Sequence, residues 1–397
     1  MASTKTENFG VYLKSKSAGK GTAFTHTRIP DKESKIYGGT YIVGDDEAGT
    51  FLEKYYQHVF VGGNMEYLTE KQIIEDGDMP RLSGATVLEG KVSDSVFREN
   101  LVTKAGQPIR LMFRNNRIST HDVNRGAIPF KDQVLAFNHD HMLNLVKDVL
   151  GSSQFHVEGL LPSSTVIPAE DLNLIMLENV LRLYMAESST STSLYQHWLA
   201  AKGQGEEIFN YAGHNLSISS LEPNGVLPYL MDTPSTKDKV DKTIDAEFLI
   251  DKGVCSWEQY AQIRNASIMA FGMVSHYLST KGMVLVDTKT EHGINTSGEI
   301  VSADELYTMD SSRFWKLDDN GVLLTRDGKP VSFSKEFARG MVKEKKDQQF
   351  TDEQANQIAL RYIQGLQHLT DVSFDPDLRP RDERIVDSTN LILDSLL

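Results

Sequence analysis

Residues 282–315 read GMVLVDTKTEHGINTSGEIVSADELYTMDSSRFW, and this segment is the most informative part of the sequence. Its apolar run at 284–286 predicts the start of a buried strand. Successive side chains of a strand point to opposite faces, so Asp287, Lys289 and Glu291 share one face. The sequence therefore predicts a strand with one charged face.

A turn is predicted at residues 295–298, because Asn-Thr-Ser-Gly has the composition of tight connections between strands. The chain then returns as a second strand, which completes a hairpin. If the turn is centred at the middle of this segment, Lys289 lies opposite Asp304 and Glu291 lies opposite Ser302. This register places Asp304 on the charged face, and a slip of two residues leaves that face unchanged.

The charged face has two interpretations. Two carboxylates a few ångströms apart repel each other unless a cation lies between them, and hard oxygen ligands with open positions suit magnesium shared with a polyphosphate. Lys289 would then neutralise one phosphate charge. The same spacing also fits a solvated surface hairpin with a cross-strand Lys-Asp pair, worth under ~1 kcal/mol. Spacing alone leaves these two alternatives equal.

The segment that follows the hairpin, Asp310-Ser311-Ser312-Arg313, adds a second feature. A guanidinium can hold a carboxylate or a phosphate through two parallel hydrogen bonds, so Arg313 could bind an anion. An arginine in a loop is more often solvated. This segment therefore does not decide between the two interpretations.

Composition limits the class of protein. The chain has 397 residues, of which 40% are hydrophobic, and this is enough apolar material for a large globular core. It carries 41 Lys and Arg against 55 Asp and Glu, a net charge of −14. The excess of acid argues against a nucleic-acid partner or an anionic membrane surface, because both require clustered cations. A locally cationic pocket can still bind a nucleotide.

The compartment follows from two further features. The single cysteine, Cys255, excludes an internal disulfide and a cysteine-built metal centre. The N-terminal segment lacks the apolar centre of a secretory signal, and no run of ~18 apolar residues could span a bilayer. These features predict a cytoplasmic protein without a membrane span. The oligomeric state stays open, with a homo-oligomer as one possibility.

Three regions are predicted along the chain. Residues 1–80 form a β-containing extension without an assigned role, 81–180 form a sheet domain, and 181–397 form an α/β domain. Patterns of apolar and turn residues predict strands at 85–93, 108–114 and 132–137, the hairpin at 283–306, and helices at 136–150, 257–281, 334–347 and 352–369.

The hairpin resembles that of the SAICAR synthetases, the phosphoribosylaminoimidazole-succinocarboxamide synthetases of purine biosynthesis. Their pattern D-x-K-x-E-F-G, then D-E, then P-D-S-S-R-F-W is matched by Asp287, Lys289, Glu291, Gly293, Asp304, Glu305 and residues 310–315. The last run is specific, because six consecutive residues agree.

Other segments resemble the family's motifs in the same order, over about residues 84–370. Gly90-Lys91-Val92 with Asp94 resembles the G-K-V-R-D nucleotide loop. The further matches are 116–119 with 122–123 to D-R-I-S-x-x-D-V, Glu178 and Arg182 to L-E-V-I-V-R, Ser188 to R-G-Y-x-x-G-S, 233–237 to T-P-S-T-K, and 335–339 and 361–370 to the C-terminal helices.

The resemblance implies a fold and a reaction. The implied fold is α+β, with an antiparallel-sheet domain that carries the nucleotide loop, a larger α/β domain, and an ATP cleft between them. The implied enzyme uses ATP and Mg²⁺ to join the carboxylate of carboxyaminoimidazole ribonucleotide to the amino group of L-aspartate through an acyl phosphate. The products are SAICAR, ADP and phosphate.

The resemblance also implies roles for individual residues. Lys289 and Asp310 are implied as catalytic, and Glu291 and Asp304 as magnesium ligands. The implied ATP-binding residues are Gly90, Lys91, Asp287 and Lys289. The implied substrate-binding residues are Ser119, Arg182, Ser188, Lys237, Asp241, Arg313, Lys335 and Arg339, with Asp310 orienting Arg313.

Several positions depart from the family's pattern, among them Ser93 for Arg and Val96 for an aromatic residue in the nucleotide loop. Glu187 replaces the Gly before Ser188, Lys242 replaces an acid after the T-P-S-T-K segment, and His292 replaces the Phe after Glu291. The ATP and metal positions match better than those of the acceptor. Two alternatives therefore stay open, namely a ligase of the same fold with a different amine acceptor and a catalytically silent nucleotide-binding protein.

Overall fold

The computed structural model describes residues 70–90, 93–120, 123–237, 244–326, 328–342, 349–372 and 374–397. Most of the predicted N-terminal extension lies outside these residues. Within them, no helix combines the length and the apolar character that a bilayer crossing requires.

The helices of the described residues alternate with strands along most of the chain. They are α1 (Glu70–Glu75), α2 (Lys131–Leu150), α3 (Leu194–Gly203), α4 (Ala246–Asp251), α5 (Trp257–Ser279), α6 (Glu336–Gly340), α7 (Asp352–Thr370) and α8 (Arg381–Leu396), with 3-10 turns at Pro80–Leu82 and Ile218–Ser220.

The strands form antiparallel sheets throughout the described residues. They are β1 (Thr86–Leu88), β2 (Ser93–Val102), β3 (Pro108–Arg114), β4 (Arg117–Thr120), β5 (Val123–Ala127), β6 (Val166–Glu170), β7 (Asn173–Tyr184), β8 (Ile208–Tyr211), β9 (His214–Ser217), β10 (Val226–Asp232), β11 (Ser235–Thr236), β12 (Met283–Ile294), β13 (Ile300–Ala303), β14 (Ser312–Lys316), β15 (Thr325–Arg326), β16 (Lys329–Pro330) and β17 (Ser332–Phe333).

The chain divides into two compact units. The first contains the described residues up to Asn138, with Gln154–Asp171 and Phe337–Leu397. The second contains His139–Ser153 and Leu172–Glu336. Both units are discontinuous in sequence, so each core depends on contacts between distant segments.

The first unit is built on a four-stranded sheet in the order β1-β2-β3-β6. Alternate residues of these strands, such as Val96 and Leu111, are buried in one apolar cluster with Ile385 and Ile392 of α8. Helix α7 begins with a capping box at Thr351, and from Ala355 onward nearly all of its side chains are buried. This unit therefore holds its C-terminal helices as part of its core.

The second unit is built on a seven-stranded sheet whose main path is β10-β7-β12-β14-β17, with β11 beside β7 and β13 beside β12. Helix α5 packs on β12 and β7. Ser256 starts this helix, because its Oγ accepts from the Gln259 N–H at 3.1 Å while Gln259 Oε1 accepts from the Ser256 N–H at 2.9 Å. The sheet places β12 in the interior of the unit.

The structure confirms several predicted elements and corrects one. Strand β3, the hairpin of β12 and β13, and helix α5 lie where the sequence predicts them. The strand predicted at 132–137 is wrong, because these residues belong to helix α2. Residues 131–139 are buried on every side, so their apolar run carries no periodicity that separates a strand from a helix.

Candidate active site

Strand β12 presents the charged face of the second unit. It pairs with β7 along one edge and with β13 and β14 along the other. Thr290 points away from this face and accepts from Asn179 Nδ2 at 3.3 Å in the interior. The alternation leaves Asp287, Lys289 and Glu291 together on the opposite face, as the sequence predicts.

Lys289 lies between two carboxylates on this face. Its Nζ is 3.0 Å from Glu178 Oε1 and 2.5 Å from Glu291 Oε1. Lys237 Nζ contacts Oε2 of Glu291, and Ser235 Oγ donates to Glu178 Oε2 at 3.1 Å. We name Glu178, Lys237, Lys289 and Glu291 the lysine–carboxylate cluster.

Lys289 and Glu291 stabilise each other's charged forms. Burial opposes the charge of Lys289, but the negative charges of Glu291, Glu178 and Asp304 outweigh it and raise the pKa of Lys289. Burial likewise opposes the charge of Glu291, and Lys289 and Lys237 outweigh it and lower the pKa of that carboxyl. At neutral pH Lys289 is therefore an ammonium group and Glu291 is a carboxylate.

The predicted register of the hairpin is wrong by one residue. Glu291 pairs with Ala303 and His292 pairs with Ser302, because the connection holds five residues, closed by an Asn295 N–H bond to the Glu299 oxygen at 3.0 Å. A shift of one would move Asp304 to the opposite face.

Asp304 nevertheless acts on Lys289. Strand β13 ends at Ala303, and Asp304 has a φ of 56°, so the alternation of faces stops there. The negative charge of Asp304 is one of those that raise the pKa of Lys289. Because β13 ends at Ala303, its register does not decide on which side the Asp304 side chain lies.

The donors near Lys289 suit a hard cation. Within the described ranges, no three His, Cys, Asp or Glu side chains form a ready-made metal site. Magnesium usually takes only one or two carboxylates and completes its shell with water and phosphate oxygens, so Glu291 and Asp304 fit that chemistry. Both oxygens of Glu291 contact ammonium groups, so Mg²⁺ binding there requires one lysine to exchange its partner.

Two arginines converge on Asp287, one from each neighbouring strand. Arg182 Nη1 is 3.2 Å from Oδ2, and Arg313 Nε is 3.2 Å from Oδ1. Arg182 Nε also donates to Thr233 Oγ1 at 3.0 Å. Arg313 Nη1 is buried and has no hydrogen-bond partner among the described residues, so it is available to an anion. We name Arg182, Asp287 and Arg313 the arginine–aspartate group.

Asp310 and Lys335 form a further ion pair of this unit. Asp310 Oδ2 lies 3.9 Å from Lys335 Nζ, and the Asp310 side chain is only 2% exposed. The contact with Arg313 described above comes from Asp287. The orienting and catalytic roles of Asp310 stay predictions.

Glu187 and Ser188 follow the end of β7 at Tyr184. Glu187 is the residue that replaces the family's glycine. The carbonyl of Ser188 accepts from Gln196 Nε2 at 2.7 Å. The Glu187 N–H donates to Asn224 Oδ1 at 3.0 Å, and Asn224 Nδ2 donates to Glu187 Oε1 at 3.2 Å. The Glu187 carboxylate, which a glycine at this position would lack, is therefore hydrogen-bonded to a neutral amide.

The first unit holds the predicted nucleotide loop in place through Asp94. Its Oδ1 accepts from the Gly90 N–H at 2.9 Å and from Arg117 Nη2 at 2.5 Å. Arg117 Nη2 also donates to the Gly90 oxygen at 2.8 Å. A Cβ at Gly90 would lie 2.2 Å from the Ser93 oxygen, so only glycine fits this turn. The predicted Lys91 lies outside the described residues.

The remaining predicted residues lie in the first unit or outside the described residues. Ser119 lies in β4, where its Oγ donates to the Val123 oxygen at 3.2 Å. Arg339 lies in α6 of the first unit. Asp241 and Lys242 lie outside the described residues.

The sequence did not predict the contact between Glu178 and Lys289. The signal is the alternation of β7, in which Glu178 and Arg182 share a face. Strand pairing joins that face to β12, since Arg182 pairs with Asp287. Residues more than a hundred positions apart therefore meet only because of the sheet order.

Solved structures with known function share this fold. The SAICAR-synthase from Saccharomyces cerevisiae complexed with SAICAR is 20% identical and aligns over 74% of this chain and 98% of its own, with a TM-score of 0.59. A SAICAR synthetase (Type-2) in complex with ADP is 18% identical over 73% of this chain and 100% of its own, with a TM-score of 0.53. The fold class is therefore that of the SAICAR synthetases, an α+β fold with antiparallel sheets.

Sequence comparison agrees with the fold. The SAICAR synthetase family model matches residues 87–357. A putative phosphoribosylaminoimidazole-succinocarboxamide synthase 2 from Agrobacterium fabrum is 27% identical over 77% of this chain and 93% of its own length. The chloroplastic phosphoribosylaminoimidazole-succinocarboxamide synthase of Arabidopsis thaliana is 28% identical over 78% and 73%. The chain belongs to the SAICAR synthetase family, and the predicted resemblance is confirmed.

Proposed function

We propose that the protein catalyses the ATP-dependent joining of carboxyaminoimidazole ribonucleotide to L-aspartate, the SAICAR-forming step of purine biosynthesis. Family membership supports a ligase of this kind. The observation that carries the proposal is the lysine–carboxylate cluster, in which Lys289 lies between Glu178 and Glu291. These residue types at one place suit a triphosphate and its cation.

The chemistry requires activation of a carboxylate. A carboxylate oxygen of the ribonucleotide attacks the γ-phosphorus of ATP, which forms an acyl phosphate and releases ADP. The aspartate amine then attacks the acyl carbon, loses a proton, and displaces phosphate to leave an amide. Phosphoryl transfer depends on positioning and on neutralising charge more than on covalent chemistry by the protein. The proposed role of Lys289 is therefore to bind the phosphate chain.

Glu291 and Asp304 are the proposed magnesium ligands. The bound ion would screen the charges of the phosphate oxygens during transfer. Lys237 and Lys289, which contact Glu291 in this structure, would then be able to turn toward phosphate oxygens. Because both lysines have flexible stems, this exchange of partners needs no change in the sheet.

The arginine–aspartate group is the proposed holder of the ribonucleotide, with Ser188. A guanidinium binds phosphate through paired N–H groups, and Arg313 Nη1 has no partner among the described residues. Asp287 would keep Arg182 and Arg313 in place, which supports its function as an organising carboxylate rather than a direct ligand. Lys335, with Asp310 beside it, and Ser119 and Arg339 are proposed to bind substrate as well.

Gly90 and Lys91 are the proposed nucleotide-loop residues of the first unit. The tight turn at Gly90 and its attachment to Asp94 and Arg117 support a fixed start for this loop. Backbone N–H groups of such a loop would bind phosphate oxygens. Asp241 is retained as a proposed substrate residue on the resemblance alone.

A second candidate is a ligase with a different amine acceptor. It is favoured by Glu187, the sequence neighbour of Ser188, whose carboxylate accepts a hydrogen bond from Asn224 Nδ2, a neutral amide that leaves the negative charge in place. A negative charge at that place would disfavour a second anionic group nearby.

We propose a cytoplasmic protein with small-molecule substrates, and homo-oligomer formation stays a prediction.

The test is an ADP-release assay with purified full-length protein, ATP, Mg²⁺, the ribonucleotide and a panel of amino acids. We expect ADP and phosphate only when the ribonucleotide and aspartate are both present, with SAICAR identified by mass. Turnover with another amine but not with aspartate would favour the second candidate. Absence of turnover with every amine would reject both and leave the silent nucleotide-binding alternative.

A further inference from the structure

Asp232 lies outside the site described above, at the last residue of β10, and is held by donors from two other elements. Its Oδ2 accepts from Tyr260 Oη at 2.9 Å and from Arg264 Nε at 2.7 Å, both on α5. His214 Nε2 of β9 is 2.8 Å from the Asp232 carbonyl oxygen and 3.5 Å from Oδ1. One carboxylate therefore joins a strand, a helix and a hairpin.

These contacts hold Asp232 as an anion. Burial opposes its charge, but hydrogen bonds from His214, Arg264 and Tyr260 outweigh burial and lower the pKa of the carboxyl far below its usual value. Its side chain is 13% exposed. Arg and Tyr donors have fixed directions, so the arrangement restrains position as well as charge.

The chain that follows Asp232 leads directly into the candidate active site. The Thr233 N–H donates to the Val180 oxygen at 2.8 Å, and Thr233 Oγ1 accepts from Arg182. Ser235 and Thr236 pair with β7, and Lys237 contacts Glu291. We name residues 233–237 the connecting segment, since each end contacts a proposed functional residue.

We propose that Asp232 is a positioning residue, which, through Tyr260, Arg264 and His214, sets the register of the connecting segment and so the position of Lys237 on Glu291. This inference rests on the proposed ligase function. The side-chain donors of Asp232 on α5, Tyr260 and Arg264, are not themselves proposed substrate-binding residues. The effect of Asp232 on the reaction passes through the segment, because displacing a functional group by about 1 Å can lower a rate by about 10²-fold.

The first test is the variant Asp232→Asn in the full-length chain. Asn keeps the shape of the side chain but places an N–H₂ group or a neutral oxygen against donors on α5, so the restraint is lost. We expect kcat/KM to fall about 10- to 100-fold. Asn265→Ala, a neighbouring exposed position on α5, is the matched control and should leave kcat/KM unchanged.

A double-mutant cycle separates positioning from general support. If Asp232 acts through Lys237, the combined variant Asp232→Asn/Lys237→Met should lose little beyond Lys237→Met alone. Independent effects that multiply would overturn the proposal, as would wild-type kinetics in Asp232→Asn. Tyr260→Phe removes a single hydroxyl and serves if Asp232→Asn does not fold, with an expected fall of about 3- to 10-fold in kcat/KM.

Hydrogen exchange tests the same inference without turnover. We expect Asp232→Asn to speed exchange of the amides in the connecting segment, while β12 and the rest of α5 keep their wild-type rates. Faster exchange across the whole second unit would overturn positioning in favour of structural support. A wild-type protein without ligase activity would reject the proposed function, and local exchange would still decide the role of Asp232.

Discussion

Two carboxylates of the second unit, Glu291 and Asp232, are each held by hydrogen-bond donors, but the donors differ in kind. Glu291 contacts the ammonium groups of Lys237 and Lys289. Asp232 is held by an arginine, a tyrosine and a histidine, all with directed donors. A lysine can exchange its partner while its stem rotates, whereas a planar guanidinium and a phenol cannot do so without moving the backbone.

The two types of donor allow one sheet to carry both a functional group and a structural support. The lysine–carboxylate cluster holds charges that can be transferred to a ligand. The Asp232 contacts hold a strand end in one place. Asp232 and Glu291 both lie on strands that pair with β7. Their side chains are similarly buried, at 13% and 9% exposed. The type of donor is what distinguishes the two carboxylates.

Lys289→Met should give the largest effect. It removes the charge between Glu178 and Glu291, so two carboxylates repel and the phosphate chain loses a cation. We expect kcat to fall about 10³-fold. Steady-state ADP release measures this, with Lys252→Met at an exposed position as control. Turnover within threefold of wild type would contradict the functional role that we propose for the lysine–carboxylate cluster.

Asp287→Asn should give the next effect, mainly on ribonucleotide binding. The amide weakens the hold on both Arg182 and Arg313, which lose their charged partner. We expect KM for the ribonucleotide to rise about 10- to 100-fold while KM for ATP changes less. Initial rates over a matrix of the two substrates separate these values. An equal rise in both would contradict the assignment of this group to the ribonucleotide.

The sequence alone predicted the elements that depend on local patterns. The period of two in β12, the apolar pattern of the helix at 257–281 and the turn at 295–298 are all local features. The one-residue error in register arose because the turn composition does not fix the number of residues in the connection. The end of strand β13 before Asp304 depends on a backbone angle that the sequence does not display.

The contacts that the sequence could not predict join distant segments. Glu178 meets Lys289 only through the pairing of β7 with β12. Asp232 meets Tyr260 and Arg264 only because α5 packs on the sheet beside it. The family resemblance supplied the residue types of the site, whereas the strand order supplied their partners.

His292 differs from both carboxylates, because neither a lysine nor a directed donor is hydrogen-bonded to its ring in the described residues. It is 2% exposed, and both ring nitrogens lack a hydrogen bond within the described residues. Burial lowers the pKa of His292 to about 4, although Glu291 opposes this. Since the unfolded pKa is near 6.5, the unfolded chain takes the proton first, and folding stability is lost as pH falls from about 6.5 to about 4.

We therefore expect His292→Phe to stabilise the protein by about 1–3 kcal/mol at pH 7, with a larger gain at pH 5. Denaturant unfolding at both pH values measures the free energy of unfolding. His276→Phe, at an exposed position of α5, is the control. An equal gain at the two pH values would contradict the role of the buried neutral imidazole.

His214→Gln should give the smallest effect. The hydrogen bond with Asp232 raises the pKa of His214, although burial and Arg264 oppose it. The stabilisation is then fully present below the unfolded pKa of about 6.5 and is lost as pH rises through the raised folded value. Gln keeps a donor but carries no charge, so we expect a loss of under about 1 kcal/mol at pH 6 and less at pH 9. Thermal unfolding at the two pH values checks the sign, and a larger loss at pH 9 would reverse it.

The central claim is that Glu291 and Asp304, beside Lys289, bind the magnesium–triphosphate unit that activates the ribonucleotide. The most direct measurement is the Mg²⁺ dependence of ADP release by wild type, Glu291→Gln and Asp304→Asn at saturating ATP, ribonucleotide and aspartate. We expect both variants to lose at least about 10²-fold in kcat and to require more Mg²⁺ for half-maximal rate. Wild-type turnover and wild-type Mg²⁺ dependence in both variants would contradict the account.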